Sequence, residues 1–310
     1  MALQDSMTKQ WDVAVAGEIF ADHIFAGFEK WPQPGEELFT DSYAREVGGG
    51  AAITACALAR LGRSAAVFGV IGKEDGWIQH RFADFGVASD GLRSTEGGTA
   101  VTVSISTRED RSFFTWPGAN KDLREYLRSP QTKVLLERAR HVHFAMTLSR
   151  PLALELLPPL RSAGCTISID PGHHPEWLRN RDNWQTCSEC DFFLPNELEG
   201  RIMTGEQSAE KMLAVLTGSG IRGSVIKLGR AGAAMMTDGL VCHASAPAVE
   251  AVDTTGAGDA FDAGFIDAFL DGAAPSEMIR RACICGSLST RRTGALAALP
   301  GREELNRFHE

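Results

Sequence analysis

The chain alternates short apolar runs with amphipathic segments. The apolar runs are bounded by Gly, Pro or charged residues, which is typical of buried strands; they are Val13–Ala16, Ala65–Val70, His141–Ala145, Thr166–Ile169, Phe192–Leu194 and Val225–Lys227. Apolar residues at helical spacing occupy Ala51–Leu61, Trp77–Phe85, Leu152–Arg161 and Glu197–Thr204. The pattern predicts an α/β fold with three layers, α/β/α, around a mostly parallel sheet.

Two regions break this alternation. Glu36–Val47 and Ala100–Trp116 alternate apolar and polar residues with a period of two, and the second contains a turn signal at Glu109-Asp110-Arg111. Together with Ile19–Phe25, these regions could form a small separate β-sheet. We expect this sheet to be a lid over a ligand site.

Length and charge limit the classes of protein to consider. A chain of 310 residues can form one large α/β unit, and it contains no repeat or linker-like stretch. We therefore expect a single domain over residues 1–310, with lid segments at about 18–47 and 98–117. The net charge of −9 argues against a broad surface for nucleic acid or an anionic membrane. An anionic ligand would need a local cluster of donors.

Cysteine usage and the first residues bear on location. The seven cysteines are an odd number without regular spacing, which is typical of reduced thiols, and Cys187 and Cys190 form a lone CxxC without a second pair. Residues 1–10 are polar, and no apolar stretch is long enough to span a bilayer. These features predict a cytoplasmic protein.

The stretch from Asp253 to Phe261 is a glycine-rich turn that leads into an amphipathic segment. Small residues allow backbone N–H groups to converge, and the following helix adds the positive end of its dipole, so the turn suits an anion such as phosphate. Asp259 would lie in the first helical turn as a base beside that phosphate, which suggests phosphoryl transfer to a hydroxyl. The helix dipole is expected to lower the pKa of Asp259. On spacing alone, a purely structural helix cap fits equally well.

Several separated motifs together resemble those of the ribokinase-like, PfkB-type carbohydrate kinases, in the family's order and over nearly the whole chain. They are Gly17–Asp22, the Gly-Gly signature within Val47–Gly62, Gly118–Asn120, Pro195–Glu199, Lys227–Gly229 with Gly232, and Asp253–Asp259. The resemblance implies a ribokinase-like fold with a β-sheet lid. It also implies transfer of the γ-phosphate of ATP, with Mg²⁺, to a primary hydroxyl of a small sugar or sugar derivative.

The resemblance also implies roles for individual residues. Asp259 would be the general base, and the N–H groups of Gly256, Ala257 and Gly258 would form the anion hole. The implied sugar contacts are Asp22, Gly48, Gly49 and Asp259. The implied nucleotide contacts are Asn196, Lys227, Gly229, Gly256 and Gly258. Asn196 and Glu199 would hold Mg²⁺ through water.

The family resemblance extends to a monovalent-cation loop and to assembly. K⁺ would be bound mainly by backbone carbonyl groups of Asp253, Thr255, Ser289 and Arg292, although K⁺ dependence stays open. Relatives often pair their lids, so a homodimer through the lid sheets is expected. Judged by pattern alone, Asn196 and Glu199 also fit a helix cap and a solvated helix face, Lys227 an exposed strand end, and Asp22 a solvated turn.

Three departures from the family pattern concern the substrates. Ile53 replaces an Asn that contacts sugar hydroxyls in many relatives. The stretch from Asp170 to His174 lacks the usual Arg, for which His174 would substitute in part. Cys283 replaces an Asn near the nucleotide base. A nucleoside kinase of the same family and a non-catalytic sugar-binding protein on a kinase scaffold therefore stay open as alternatives.

Overall fold

Two β-sheets organise the computed structural model, which describes residues 9–108, 111–237 and 239–308. The strands are β1 (Trp11–Gly17), β2 (Phe20–Phe28), β3 (Ser42–Gly48), β4 (Ala65–Gly72), β5 (Ala88–Thr95), β6 (Ala100–Thr107), β7 (Arg111–Trp116), β8 (Ala139–Ala145), β9 (Thr166–Asp170), β10 (Phe192–Phe193), β11 (Ser224–Lys227), β12 (Ala233–Thr237) and β13 (Leu240–Ala244). The large sheet has the order β13-β12-β11-β10-β9-β8-β1-β4-β5. Its strands are parallel except β12 and β13, which pair antiparallel at one edge.

Helices lie on both faces of the large sheet. They are α1 (Gly50–Arg60), α2 (Trp77–Phe85), α3 (Leu123–Arg128), α4 (Pro130–Leu136), α5 (Arg150–Ser162), α6 (Pro175–Arg179), α7 (Asp182–Ser188), α8 (Glu197–Thr204), α9 (Ala209–Gly218), α10 (Ala257–Leu270), α11 (Pro275–Ser289) and α12 (Arg302–Arg307). Alternate residues of β1 enter two separate cores, Ala14 and Ala16 one and Val13 and Val15 the other. A strand buried on both faces reads as a continuous apolar run, which is why these strands were predictable. The expected three-layer α/β/α fold is confirmed.

The small sheet has the order β3-β2-β6-β7. β2 pairs parallel with β6, and the outer strands pair antiparallel, β3 with β2 and β7 with β6. The predicted lid sheet is therefore present, although residues 36–41 are not a strand. A turn at Pro34 and Gly35 precedes them, and Glu36 folds back to bond the backbone N–H of Gln33 at 3.0 Å. Of the predicted turn Glu109-Asp110-Arg111, the first two residues lie outside the described residues, and Arg111 begins β7.

Two observations bear on location. Within the described ranges, every helix is too short or too polar to cross a membrane. All seven cysteines are free, and only Cys242 is not buried. The Cys187 and Cys190 thiols, which belong to the lone CxxC, have raised pKa values because they are buried in apolar surroundings.

Candidate active site

The carboxyl ends of the parallel strands form one edge at which polar side chains meet. Gly17 at the end of β1 pairs with Ala145 of β8, which in turn pairs with Asp170 at the end of β9. Lys227 ends β11 and forms a bridge with Asn196, which follows β10. Ligand sites of open α/β sheets lie at this edge, and here polar and charged side chains are in place to form one.

The glycine turn lies at the same edge. Gly256 has φ of 75° and is the N-cap of α10, and Asp259 lies in the first helical turn. A Cβ at Gly256 would lie 2.8 Å from the Ala295 side chain and 3.1 Å from that of Ile53. Both the left-handed backbone and the surrounding apolar contacts therefore require glycine. Ile53 is 3% exposed, so it supports the turn by packing.

The pKa of Asp259 is raised to about 7. Burial is the largest cause and the negative charge of Asp170 adds to it, whereas Lys227 and the helix N–H of Asp259 oppose the shift. The expectation of a lowered pKa was wrong, because desolvation and a neighbouring carboxylate outweigh the helix N-terminus here. A carboxylate with such a pKa is a stronger base than an ordinary aspartate.

Lys227 contacts two carboxylates and the backbone next to Asp259. Its Nζ lies 2.6 Å from Oδ2 of Asp170 and 2.6 Å from Oδ1 of Asp262, and it donates to the carbonyl oxygen of Gly258 at 3.3 Å. Both carboxylates raise the pKa of Lys227 despite its burial. Burial raises the pKa of Asp262 far above its usual value. Burial also acts to raise the pKa of Asp170, but the charge of Lys227 and the hydrogen bonds to Asp170 together outweigh it, so that pKa is lowered. This arrangement fits a protonated Asp262 beside an ionised Asp170.

A line of buried polar groups continues from Asp262 into the sheet. His143 Nε2 lies 3.9 Å from Asp262 Oδ2, and its Nδ1 lies 2.7 Å from Oγ of Ser168. Ser168 also bonds His141, whose other ring nitrogen lies 2.8 Å from Thr166 Oγ1. Burial lowers the pKa of both histidines to about 3, so both are neutral at physiological pH.

A cavity of about 890 Å³ opens beside the glycine turn. Lys227, Gly229, Gly258 and Cys283 are among its lining residues, whereas Asn196 and Gly256 are not. The Cys283 thiol has a pKa raised to about 12 by burial, so it is a neutral thiol in the wall. The volume is within the range of small-molecule and cofactor sites.

The Asp259 carboxylate also lies close to the Gly48–Gly50 turn. A Cβ at Gly50 would lie 3.0 Å from Oδ1 of Asp259, and one at Gly48 would lie 1.9 Å from Oδ2 of Asp22. Glycine is therefore needed at Gly48 to admit the Asp22 carboxylate. The pKa of Asp22 is raised to about 7, mainly by burial and further by Glu46 on the neighbouring strand. His174 is exposed at the start of α6.

Asn196 and Glu199 bond to each other as a capping box at the start of α8. Glu199 accepts from the backbone N–H and the side-chain amide of Asn196, at 2.8 and 2.7 Å. Its pKa is raised to about 7, first by burial and then by the negative charge of Asp170. Because both oxygens already accept hydrogen bonds, the pair fits Mg²⁺ held through water rather than by direct ligation.

The Asp253 carboxylate does not fit K⁺. One oxygen accepts from Arg111 and from Thr255, and the other accepts from the N–H of Gly294 at 2.9 Å. Ser289 is buried, and its hydroxyl donates to the carbonyl oxygen of Gly286. Since donors already surround this carboxylate, a second cation there would meet a guanidinium rather than free oxygen ligands.

Three charged residues of this region were not predicted as site residues: Asp170, Asp262 and Arg111. Asp170 directly follows the apolar run of a predicted strand, and Asp262 lies one helical turn after Asp259. From these positions in the sequence, both residues could have been predicted to lie near the carboxyl ends of the strands. Arg111 carries no such signal, because its contact with Asp253 joins residues 142 positions apart.

Comparison with known proteins gives the family. The sequence profile of the pfkB family carbohydrate kinases matches residues 12–302. The chain belongs to this family. It is accordingly a phosphotransferase with an alcohol group as acceptor, and kinases of this family use ATP.

Relatives and structures agree with the family assignment. A ribokinase from Haemophilus influenzae is 29% identical over 310 residues, covering 96% of this chain and 98% of its own length. A 2-dehydro-3-deoxygluconokinase from Bacillus subtilis is 27% identical over 86% of this chain and 87% of its own. The structure of Arabidopsis thaliana ribokinase complexed with ribose and ATP has a TM-score of 0.81 at 24% identity, covering 96% and 98% of the two chains. The ribokinase-like fold is thereby shown.

Proposed function

We propose that the protein is an ATP- and Mg²⁺-dependent kinase that phosphorylates a primary hydroxyl of a small sugar or sugar derivative. The observation that carries this proposal is the position of Asp259. Its carboxylate lies against Gly50 of the Gly48–Gly50 turn, which also contacts Asp22, and its chain neighbour Gly258 lines the cavity together with Lys227. A base between two binding regions is what transfer from a nucleotide to a hydroxyl requires.

In the proposed reaction, Asp259 accepts the hydroxyl proton while the hydroxyl oxygen attacks the γ-phosphorus. The bond from phosphorus to the β,γ-bridging oxygen breaks, and ADP leaves. The N–H groups of Gly256, Ala257 and Gly258 stabilise charge on the transferring group. A base with a pKa of about 7 is ionised for a large fraction of the time at neutral pH and retains useful basicity.

Mg²⁺ supplies charge neutralisation on the phosphates when bound. Asn196 and Glu199 would orient its water ligands, and Asp170 adds a negative charge close to Glu199. On the cavity side, Lys227 and Gly229 would contact the nucleotide. K⁺ is not included among the proposed cofactors, because the Arg111 guanidinium already supplies a positive charge at Asp253 in this loop.

On the acceptor side, Asp22 would accept hydrogen bonds from sugar hydroxyls, with Gly48 and Gly49 allowing close approach. The raised pKa of Asp22 is consistent with a carboxylate that gains donors only when substrate binds. Ile53 packs on the glycine turn, so the hydroxyl contact expected at that position in many relatives is missing. The acceptor is therefore proposed only as a class.

The test is an ADP-release screen over hexoses, pentoses, sugar acids, sugar phosphates and nucleosides. Asp259→Asn should keep ATP affinity and lose nearly all turnover, because it removes the base but keeps the shape. Asp12→Asn is the matched control, since Asp12 pairs with Arg140 on another edge of the structure. Turnover only with nucleosides would support the nucleoside alternative. Sugar binding without any turnover would support the non-catalytic one.

The proposal extends to the domain organisation, cellular location and assembly of the protein. We infer that residues 1–310 act as one kinase domain, with lid segments at about 18–47 and 98–117, in the cytoplasm. Free, mostly buried cysteines support a reducing compartment. A homodimer through the lids is supported by exposed aromatic side chains on β7, namely Phe113, Phe114 and Trp116.

A further inference from the structure

Arg111, the first residue of lid strand β7, contacts the loop that precedes the glycine turn. Its Nη1 donates to the Asp253 carboxylate and, at 2.7 Å, to Oγ1 of Thr255. Its Nη2 donates to Oγ1 of Thr254 at 2.7 Å. The Arg111 side chain is 28% exposed and that of Asp253 is 14% exposed, so the ion pair is largely shielded from water. Charge-assisted hydrogen bonds of this kind are the strong ones.

Asp253 is the centre of the hydrogen bonds that hold this loop. Besides Arg111, Oδ1 accepts from the backbone N–H and hydroxyl of Thr255, at 2.9 and 2.7 Å. Oδ2 accepts from the N–H of Gly294, and the Asp253 N–H donates to the carbonyl oxygen of Thr290. Thr255 immediately precedes Gly256, so the orientation of this loop sets how the chain enters the proposed anion hole.

The same lid sheet carries Asp22. β7 pairs with β6, and β6 pairs with β2 so that Thr102 lies opposite Asp22. Arg111 thus joins the sheet that would bind the acceptor to the loop that would bind the phosphoryl group. A sheet held by backbone hydrogen bonds transmits position more faithfully than a flexible loop.

We propose that Arg111 is a positioning residue whose guanidinium acts as a built-in cation at Asp253, coupling the lid to the glycine turn in place of a monovalent metal ion. The effect of Arg111 on turnover rests on the proposed function. Its effect on the loop rests only on the contacts of Arg111 and can be tested without substrate. The wild-type protein should then show little response to K⁺, and loss of the guanidinium should create one.

The substrate-independent test is hydrogen exchange and thermal melting of ligand-free Arg111→Gln and Arg111→Lys. In Arg111→Gln, amides of residues 253–258 should exchange about 10- to 100-fold faster, the factor expected for losing a hydrogen bond to a charged group. Arg111→Lys should lie between Arg111→Gln and wild type, because it keeps the charge but not the fork of donors. K⁺ should raise the melting temperature of Arg111→Gln relative to tetramethylammonium, and should leave that of the wild type unchanged.

The control is Arg108→Gln. Arg108 lies on the same hairpin, and its pair with Glu29 is 2.7 Å long but about three-quarters exposed on both sides. Exposed pairs of this kind contribute little. Arg108→Gln should therefore leave exchange of residues 253–258 unchanged, which separates the role of Arg111 from a general effect of charge on the lid.

With a substrate from the screen, Arg111→Gln should lower kcat and raise the KM of the acceptor more than that of ATP, and K⁺ should restore part of kcat. The proposal is overturned if residues 253–258 exchange at the wild-type rate in Arg111→Gln. Strong activation of the wild type by K⁺ over tetramethylammonium would overturn it equally. If no acceptor is turned over but the exchange effect appears, the coupling stands and only the proposed function fails.

Discussion

The ammonium group of Lys227 lies 2.6 Å from Oδ1 of Asp262, and neither side chain is more than 9% exposed. Neither carboxylate oxygen of Asp262 has a well-aligned hydrogen bond, so its burial is compensated by the charge of Lys227 and by its own protonation, which burial favours by raising its pKa. Lys227 also opposes the raised pKa of Asp259. One buried cation therefore compensates the buried acids at this edge and also favours the ionised form of the proposed catalytic carboxylate.

Lys227→Met should destabilise the protein by about 3–5 kcal/mol, because it leaves carboxylates buried without their cation. Urea unfolding measures this change. The double variant Lys227→Met/Asp170→Asn should recover part of the loss, since it removes the ionised carboxylate that has lost its cation. Arg140→Met is the control, because its pair with Asp12 is half exposed and should contribute less than about 1 kcal/mol. Equal stability of Lys227→Met and Arg140→Met would contradict this account.

The residues around Lys227 differ in how far the sequence predicts them. The glycine turn and Asp259 are contiguous in sequence, so their local pattern identifies them. Lys227 and Asp170 are 57 positions apart, and no local pattern predicts that they pair. The direction predicted for the pKa shift of Asp259 was wrong for the same reason. The helix N-terminus is a local feature, whereas burial and the Asp170 charge come from the tertiary structure.

The fold shows a similar division. Strands buried on both faces, such as β4, are continuous apolar runs and were predicted. β5 was missed because it is an edge strand whose sequence, ASDGLRST, is mostly polar and has only Gly91 fully buried. The lid strand β3 was predicted too long, because the alternation of residues 36–41 resembles a strand but follows a Pro-Gly turn.

The rate of the proposed reaction should depend on ionisation of Asp259. Since its pKa in the free protein is about 7, kcat/KM should fall about tenfold for each pH unit below that value, as expected for a required base. The measurement is kcat/KM of the acceptor against pH at a fixed MgATP concentration well below its KM, so that the ligand-free protein is the reactant. In Lys227→Met, the midpoint should move to higher pH, because the cation that favours the ionised form is lost. A profile that is flat down to pH 5 would argue against Asp259 as the base.

The free energy of unfolding should fall as pH rises, whereas the rate of the proposed reaction should increase. The folded-state pKa values of Asp259 and Asp22 lie near 7, above the ordinary value of 3.8, so the folded state binds more protons between these limits. Their contribution is fully present below pH 3.8 and is lost as pH rises through 7. Between pH 5 and pH 8, the free energy of unfolding of Asp259→Asn should therefore fall less than that of the wild type. Parallel losses in the two proteins would show that Asp259 has no such shift.

Gly256→Ala tests the glycine turn against a matched glycine. Gly256 and Gly86 both have φ of 75°, but a Cβ at Gly86 meets nothing within 4 Å, whereas one at Gly256 meets Ala295 and Ile53. Gly86→Ala should cost about 1 kcal/mol from backbone strain alone. Gly256→Ala should cost about 1–3 kcal/mol more from overpacking and should lower kcat. Thermal melting of both variants measures the difference, and equal melting temperatures would refute the packing argument.

The proposed homodimer can be tested at the lid. Phe114 is 56% exposed and stacks with Trp31, which is 43% exposed, so β7 presents aromatic surface to solvent in a single chain. Covering this surface in a dimer would release bound water, and a charge at its centre would oppose that burial. Phe114→Asp should therefore shift the mass measured by light scattering from dimer to monomer. Leu154→Asp, at a similarly exposed apolar position on α5, should leave the mass unchanged. A monomeric wild type would end the dimer proposal. If both variants were monomeric, the interface would have to include surface outside the lid.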